Sequence, residues 1–272
     1  MASTKPTLIF VPGSWFPSSC WDPVTALLTS PPHNLPCVTI PLPSTHTPLP
    51  PPEGTPFPTL LDDITAIRTA ITACTSGGSD VVVVVHSYGA IPGHSAARGL
   101  TLPASPDPDS KEGHVIGFAM LTTGFTATGV AFLEGMGGTP PPLWRADYDA
   151  GEAILQADPR EVFFHDLPAE EAEAWAGRLG QQALAPLTGG GEHAYSAWKE
   201  APSWYLAAKG DRGLPVEAQR MLVEMARAQG GDVTLREVEG GHAVMLSRPG
   251  EVASFVAEAV DDFVARKTAR GF

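Results

Sequence analysis

The stretch VVVVVHSYGA, residues 81–90, decides the fold. Its consecutive valines are typical of a strand that is buried on both faces, as in a parallel sheet covered by helices. A helix-like segment, Ile91–Gly99, follows it directly. A strand that passes through a short turn into a helix is the unit from which α/β folds are built, so the stretch predicts that class.

Strand-like and helix-like segments alternate along the rest of the chain. The strand-like runs are rich in Val, Ile, Leu, Phe or Tyr and are Thr7–Val11, Cys37–Pro41, Asp80–Val85, Val115–Leu121, Trp204–Ala208 and Val233–Val238. The helix-like segments carry apolar residues at helical spacing and are Cys20–Leu28, Thr59–Ala73, Ile91–Gly99, Val216–Gln229 and Glu251–Arg266. This alternation predicts a doubly wound, mostly parallel sheet with the carboxyl ends of its strands along one edge.

Two regions interrupt the alternation. Leu42–Pro58 is dense in proline and has no periodicity, so we expect a semi-rigid, extended loop. Residues 123–201 contain no convincing strand, and we expect a helical lid inserted before the strand Trp204–Ala208. The predicted organisation is thus an α/β core over residues 1–122 and 202–272, with the lid between them. The helix-like pieces of the lid are Tyr148–Gln156, Pro159–Phe164 and Pro168–Leu184.

Composition excludes several classes of partner. The net charge is −13 and no basic run exists, so nothing would offset the repulsion of nucleic acid or of an anionic membrane. The apolar run Leu8–Val11 is too short for a signal-peptide core or a membrane span, and we expect a cytoplasmic protein. No spacing of His, Cys or carboxylates is typical of a metal site, so no metal is predicted.

The turn after the valine strand carries a serine. Val85-His86-Ser87-Tyr88-Gly89 resembles the G-x-S-x-G nucleophile elbow, in which the serine lies on a sharp strand-to-helix turn. Val85 replaces the first glycine, whereas Gly89 still allows the helix to pack closely behind the serine. The alternative for Ser87 is an ordinary helix N-cap. We predict that Ser87 is a nucleophile.

A serine hydroxyl needs a base to take its proton, and the base needs an orienting carboxylate. Asp211 follows the strand Trp204–Ala208, and His242 follows the strand Val233–Val238 on a glycine-rich loop. Ser87, Asp211 and His242 therefore each lie just past the carboxyl end of a strand, and we expect them to meet. The alternatives are a plain turn residue for Asp211 and a structural loop histidine for His242.

Acyl transfer also needs hydrogen-bond donors for the developing oxyanion. The backbone N–H of Tyr88, at the start of the elbow helix, is one candidate. The loop after the first strand supplies the other, because Gly13 permits a tight turn and Ser14 presents its N–H. The alternative for this loop is a mere strand-ending turn.

Together these residues resemble the α/β-hydrolase superfamily, and within it the branch of plant methylesterases, plant hydroxynitrile lyases and small bacterial and fungal esterases. Pro12 stands where that branch has the histidine of the oxyanion loop, and Val85 replaces the elbow glycine. Ala243 stands where the lyases carry a lysine, which counts against cyanohydrin cleavage. The segments that carry the resemblance span nearly the whole chain and are Pro12–Trp15, Cys20–Val24, Val85–Gly89, Phe164–Pro168, Trp198, Pro202–Leu206, Asp211, Leu214–Pro215, Gln219, Gly241–His242 and Leu246–Pro249.

The resemblance implies a cofactor-independent serine hydrolase that cleaves a carboxylic ester or lactone of a hydrophobic small molecule through an acyl-enzyme. Cleavage of a C–C bond, a lyase or cyclase reaction and a non-catalytic ligand receptor remain alternatives, because a fold does not fix a function. A homodimer is also left open. The side chains expected to contact the substrate are Trp15, Phe125, Phe164, His165 and Trp198.

Overall fold

The computed structural model describes residues 5–105, 107 and 110–272. Within these residues the strands are β1 (Thr7–Val11), β2 (Cys37–Thr39), β3 (Val81–His86), β4 (Val115–Leu121), β5 (Trp144–Asp147), β6 (Glu152–Leu155), β7 (Ser203–Ala208) and β8 (Val233–Val238). The α-helices are α1 (Asp22–Thr29), α2 (Pro43–His46), α3 (Leu60–Ser76), α4 (Ala90–Ala96), α5 (Phe132–Gly135), α6 (Pro159–Val162), α7 (Ala169–Ala176), α8 (Ala185–Thr188), α9 (Val216–Ala228), α10 (Val244–Ser247) and α11 (Pro249–Ala269). None of these helices is both long and apolar enough to cross a bilayer.

The main sheet confirms the predicted fold class. It has six strands in the order β2-β1-β3-β4-β7-β8, and every neighbouring pair is parallel. All six strands lie where the sequence predicted strand-like runs. The valines of β3 have no solvent exposure, as a strand with helices on both faces requires.

Helices close on both faces of β3. Val82 pairs with Gly117 of β4, and the two residues therefore share a face. A Cβ on Gly117 would lie 2.4 Å from the ring of Phe263, so α11 covers that face closely. Val85 points to the opposite face, because side chains alternate along a strand. There a Cβ on Gly93 of α4 would lie 2.6 Å from Val85 Cγ1, so Gly93 makes room for the valine that replaces the elbow glycine.

The expectation that residues 123–201 contain no strand is wrong. The predicted helix Tyr148–Gln156 is instead the turn and second strand of an antiparallel hairpin, β5–β6. Its turn is closed by Asp147 Oδ1, which accepts from Ala150 N at 3.0 Å, and by Gly151 with φ 63°. A short polar turn with a left-handed glycine interrupts a helix and favours a hairpin.

The predicted helix Pro168–Leu184 is also shorter than expected. It ends as α7 at Ala176, and residues 180–184, which we call the strap, lie outside the helices. The strap pairs with the hairpin, since Ala153 N donates to Gln182 O at 2.8 Å. Glycines at 177 and 180 explain the early end, because glycine disfavours continuation of a helix.

The proline-rich segment Leu42–Pro58 is not extended throughout. It begins with α2, which has Pro43 in its first turn, where a missing N–H is tolerated. Ser44 and Thr45 of α2 are buried. This part of the segment therefore packs into the protein instead of running over its surface.

Gly93→Ala tests whether the missing side chain at position 93 of α4 makes room for Val85 of β3. The added methyl group would overlap Val85 Cγ1, and overpacking of this kind lowers the free energy of unfolding by about 1–3 kcal/mol. The loss should largely disappear when the same change is made in a Val85→Ala background. Urea denaturation of the four variants measures both effects.

Gly250→Ala in α11 is the matched control. Nothing in the described structure lies within 4 Å of a Cβ at this position, and alanine has the higher helix propensity. We expect an unchanged or higher free energy of unfolding there. Equal losses at positions 93 and 250 would contradict the packing argument.

Candidate active site

The carboxyl ends of β3, β7 and β8 bring three side chains into one hydrogen-bonded row. His242 Nε2 lies 3.1 Å from Ser87 Oγ, and His242 Nδ1 lies 2.9 Å from Asp211 Oδ2. A carboxylate only accepts hydrogen bonds, so Nδ1 carries the hydrogen and Nε2 is free to accept from the serine hydroxyl. The structure thus places together the side chains that the sequence predicted would meet.

Ser87 lies on a sharp turn between β3 and α4. Its backbone has φ 50°, in the left-handed region that non-glycine residues rarely adopt. Neighbouring backbone approaches very closely on both sides. A Cβ on Gly89 would lie 2.4 Å from Pro12 O, and a Cβ on Gly13 would lie 2.9 Å from Ser87 Cβ. Both glycines are therefore required for the turn that presents the serine.

Asp211 is buried, and donors surround both of its oxygens. Oδ1 accepts from the N–H groups of Gly213 at 2.7 Å and Leu214 at 2.8 Å. Oδ2 accepts from Gln219 Nε2 at 3.1 Å and from His242. This set of donors fixes the direction of the carboxylate toward the imidazole.

The backbone of His242 is held by two buried side chains that sequence reasoning did not assign to this task. His86 Nε2 lies 3.0 Å from His242 O, and Thr122 Oγ1 donates to the same oxygen at 3.2 Å. Since a carbonyl only accepts, His86 Nε2 carries its hydrogen. Burial and the nearby His242 lower the pKa of His86 well below its ordinary value, so this ring is neutral. The signal available in the sequence for this role was a histidine, His86, at the end of a strand of valines.

Ser14 and Tyr88, whose backbone N–H groups are proposed as oxyanion donors, line the same cavity as Ser87 and His242. Within the described part of the chain, the N–H of Ser14 has no hydrogen-bond acceptor. Tyr88 lies in the first turn after β3, where N–H groups lack an intrahelical partner. Both groups are therefore available to a ligand.

A largely apolar cavity of about 400 Å³ lies over Ser87 and His242. Its wall comes from the loops at the sheet edge, from α9 and from residues between 123 and 187. No Asp, Glu, Lys or Arg occurs among the described residues that line it. The cavity therefore offers no fixed charge to pair with an ionised ligand.

The predicted substrate-contacting residues divide into two groups. Trp15 and Phe125 line the cavity. Phe164, His165 and Trp198 are absent from its described lining. Lining residues that sequence reasoning missed include Phe132, Leu143, Trp144 and Met225, which no motif distinguishes from ordinary core residues.

Packing explains why the aromatic side chains of Phe164 and Trp198 do not reach the cavity. Phe164 is fully buried, with its ring 5.8 Å from that of Phe16. Trp198 donates from Nε1 to Thr126 O at 2.7 Å, and its ring lies 5.1 Å from that of Phe125. Both therefore support residues that line the cavity.

His165 and its neighbour pack against the loop that carries His242. Asp166 Oδ2 accepts from Gly241 N at 2.7 Å. A Cβ on Gly241 would lie 2.9 Å from His165 Cε1, so the segment that carries His165 is in close contact with the histidine loop. This part of the insertion (residues 123–201) therefore helps to fix the histidine loop.

A buried carboxyl lies behind the elbow. Asp63 of α3 accepts from Ser44 N at 2.9 Å, from Ser44 Oγ at 2.6 Å and from Tyr88 Oη at 2.8 Å. Burial raises the pKa of Asp63 to about 6, although these hydrogen bonds act to lower it. The phenol of Tyr88 is thus tied to α3 and, through Asp63, to α2.

Comparison with known proteins places the chain among similar hydrolases. A family model described as "Alpha/beta hydrolase family" matches residues 8–255. Alpha/beta hydrolase nvfD of Aspergillus novofumigatus is 28% identical over 264 residues, covering 96% of this chain and 98% of that protein. The structure of polyneuridine aldehyde esterase gives a TM-score of 0.69 at 17% identity, covering 96% of this chain and 100% of that one. The structure of a pyrethroid hydrolase from Sphingobium faniae JZ-2 gives a TM-score of 0.68 at 21% identity, covering 95% of this chain and 98% of that one.

Asp63→Asn should change how stability depends on pH. A carboxyl whose pKa is about 6 in the folded protein and 3.8 as a model compound binds more protons when folded, between those values. The stability of the wild type relative to Asp63→Asn should therefore fall by about 2 kcal/mol between about pH 4 and pH 7. Urea denaturation across this range measures the difference.

Asp147→Asn is the control for this trend. The N–H of Ala150 and the side chain of Arg145 lower the pKa of Asp147, so the relative stability of the wild type should rise with pH. A difference for Asp63→Asn that does not vary with pH would contradict the raised pKa.

Proposed function

The chain belongs to the alpha/beta hydrolase family, and from this premise we propose that it is a serine hydrolase that cleaves a carboxylic ester or lactone of a hydrophobic small molecule. The observation that carries the proposal is the continuous hydrogen-bonded row from Asp211 through His242 to Ser87. An imidazole whose Nδ1 is bonded to a buried carboxylate and whose Nε2 faces a serine hydroxyl is the arrangement that activates serine.

In this mechanism His242 acts first as a base and then as an acid. Its Nε2 takes the proton of Ser87 Oγ as that oxygen attacks the substrate carbonyl, and the electron pair of the carbonyl moves to its oxygen. Asp211 stabilises the imidazolium. The C–O bond to the leaving group then breaks, and the alcohol takes the proton from His242. Water, activated by His242, releases the acid from Ser87 by the reverse sequence.

The backbone N–H groups of Ser14 and Tyr88 hold the oxyanion. Donors that are already oriented are stronger in an apolar, water-poor cavity than in water, and each contributes about 2.7–4 kcal/mol to the barrier reduction. Pro12 does not remove this function, since the N–H of Ser14 lies beyond it and lacks an acceptor within the described residues.

The substrate is an uncharged, hydrophobic molecule, and the insertion serves as the lid that covers it. The charge-free lining supports this class, because an ionised group transferred there would lose its hydration without gaining a partner. Two proteins of similar fold carry the names polyneuridine aldehyde esterase and pyrethroid hydrolase. Ester cleavage agrees with the word esterase in the first name, and hydrolysis agrees with the second.

A fluorophosphonate probe tests the nucleophile. We expect one adduct on the wild type and none on Ser87→Ala, because only an activated serine displaces fluoride from the probe. Ester turnover should fall by about 10⁴-fold or more in Ser87→Ala and His242→Ala, and by about 10⁴-fold in Asp211→Asn. Intact mass and initial rates measure these effects.

Ser203→Ala is the control, since it removes a buried hydroxyl at the opposite end of a sheet strand. It should keep both the adduct and the turnover. Labelling of another residue would contradict the assignment of Ser87. Substantial turnover by Ser87→Ala would instead favour a lyase or cyclase.

A pair of esters tests the substrate class. The 4-nitrophenyl monoester of adipic acid carries a free carboxylate, whereas the mixed methyl 4-nitrophenyl diester has the same chain without charge. We expect kcat/KM for the monoester to be lower by about 100-fold or more at neutral pH, because the carboxylate finds no cation in the described lining. Equal values for the two esters would contradict an uncharged substrate class.

A further inference from the structure

The two proposed oxyanion donors belong to separate segments of the chain. Ser14 lies in the loop after β1, and Tyr88 lies in the turn after β3. An oxyanion site works only when both N–H groups point at one position, and a displacement of about 1 Å can cost about 100-fold in rate. Contacts that fix one segment relative to the other therefore bear directly on the rate.

The elbow segment is anchored through the phenol of Tyr88. Its hydroxyl donates to Asp63 Oδ2 at 2.8 Å. Ser44 donates to the same carboxyl from N at 2.9 Å and from Oγ at 2.6 Å. Tyr88, Asp63 and Ser44 are buried, so water does not compete for these bonds.

The loop after β1 is anchored through Trp15, which follows Ser14 and has φ 66°. Three of its polar groups contact the insertion. Its N–H lies 3.4 Å from Gln182 Oε1, its carbonyl accepts from Gly180 N at 2.7 Å, and its Nε1 donates to Ala153 O at 2.9 Å. The strap and the hairpin thus hold a residue in a backbone conformation that it rarely adopts.

The two anchors meet in α2. Thr45 Oγ1 donates to Gln182 Oε1 at 3.0 Å, and Ser44, the preceding residue, contacts Asp63. Ala183 N of the strap also donates to Ser44 O at 2.8 Å. A buried row of hydrogen bonds therefore runs from Trp15 through Gln182, Thr45 and Ser44 to Asp63 and on to Tyr88.

We propose that Ser44 and Thr45 of α2 are positioning residues that fix the distance between the two oxyanion donors. The inference rests on the proposed function, and it assigns a role to the start of the proline-rich segment. Neither residue lines the cavity among the described residues, so neither touches the substrate. Their effect passes through Gln182 to the first loop and through Asp63 to the elbow.

Thr45→Val is the primary test, because it removes a single hydroxyl and keeps the shape of the side chain. We expect kcat for a neutral 4-nitrophenyl ester to fall by about tenfold to 100-fold, with KM changed by less than about twofold, since the donors act on the transition state and not on the bound ester. Thr45→Ser, which restores a hydroxyl, should recover most of kcat. Ser44→Ala should give a loss in the same range as Thr45→Val.

Ser196→Ala is the matched control for Ser44→Ala. Ser196 is a buried serine whose Oγ donates to Thr126 O at 2.7 Å and accepts from Thr128 N at 2.9 Å. Ser196→Ala removes at least as many side-chain hydrogen bonds as Ser44→Ala, which loses only the bond from Ser44 Oγ to Asp63, and it does not touch the row. A purely structural role for the row predicts that kcat is similar in both variants, whereas positioning predicts that kcat falls only in Ser44→Ala.

A pair of ketones separates the oxyanion site from ground-state binding. An aryl trifluoromethyl ketone accepts Ser87 Oγ at its carbonyl carbon, His242 takes the proton, and the carbonyl oxygen becomes an oxyanion; the corresponding methyl ketone binds without this step. Thr45→Val should weaken the trifluoromethyl ketone by about the same factor as kcat and leave the methyl ketone within about twofold. Equal weakening of both ketones, or an unchanged kcat, would overturn the inference.

Failure of the proposed function has a different signature. In that case the wild type itself would show no fluorophosphonate adduct and no ester turnover, and the inference would fall with it. An adduct on wild-type Ser87 together with unchanged kcat in Thr45→Val and Ser44→Ala would overturn the positioning role alone.

Discussion

The parallel pairing of β3 with β1 and β4 is the interaction on which the site depends. Val11 lies opposite Val85, and His86 lies opposite Leu121, so the neighbouring strands end beside the elbow. Because all three strands run in the same direction, the loops that follow them must share one edge of the sheet. A slip of one residue in the pairing of β1 with β3 would move the loop after β1 along the sheet edge and separate it from Ser87.

The sequence was sufficient for the sheet and for the row of three side chains, because both follow from local signals. The valine run, the serine in the turn that follows it and the two loops that end strands can each be located in the sequence without reference to distant residues. The hairpin β5–β6 and the helix α2 were not predictable in this way. Ala153 of the hairpin and Ser44 of α2 are buried, and both form hydrogen bonds with the strap, which lies far along the chain from α2. Tertiary contacts of this kind override local propensity.

The same reasoning explains which parts of the site were missed. His86 and Thr122 meet at the carbonyl of His242, although the three residues are distant in sequence. Phe164, His165 and Trp198 are residue types expected in an aromatic wall that faces a ligand, yet they pack against other residues and do not line the cavity. Side-chain type indicates what a residue can contact, whereas direction depends on the neighbours that fill the space around it.

Val85 and Gly93 share one volume between a strand and the helix behind it, and this bears on how such chains are recognised. A pattern that demands glycine two residues before the nucleophile rejects this sequence, although the need behind the pattern is met on α4 instead. The two positions are therefore expected to drift together during evolution, with the order of changes constrained by the overlap. Signatures written as pairs of facing positions would retain members that a linear motif discards.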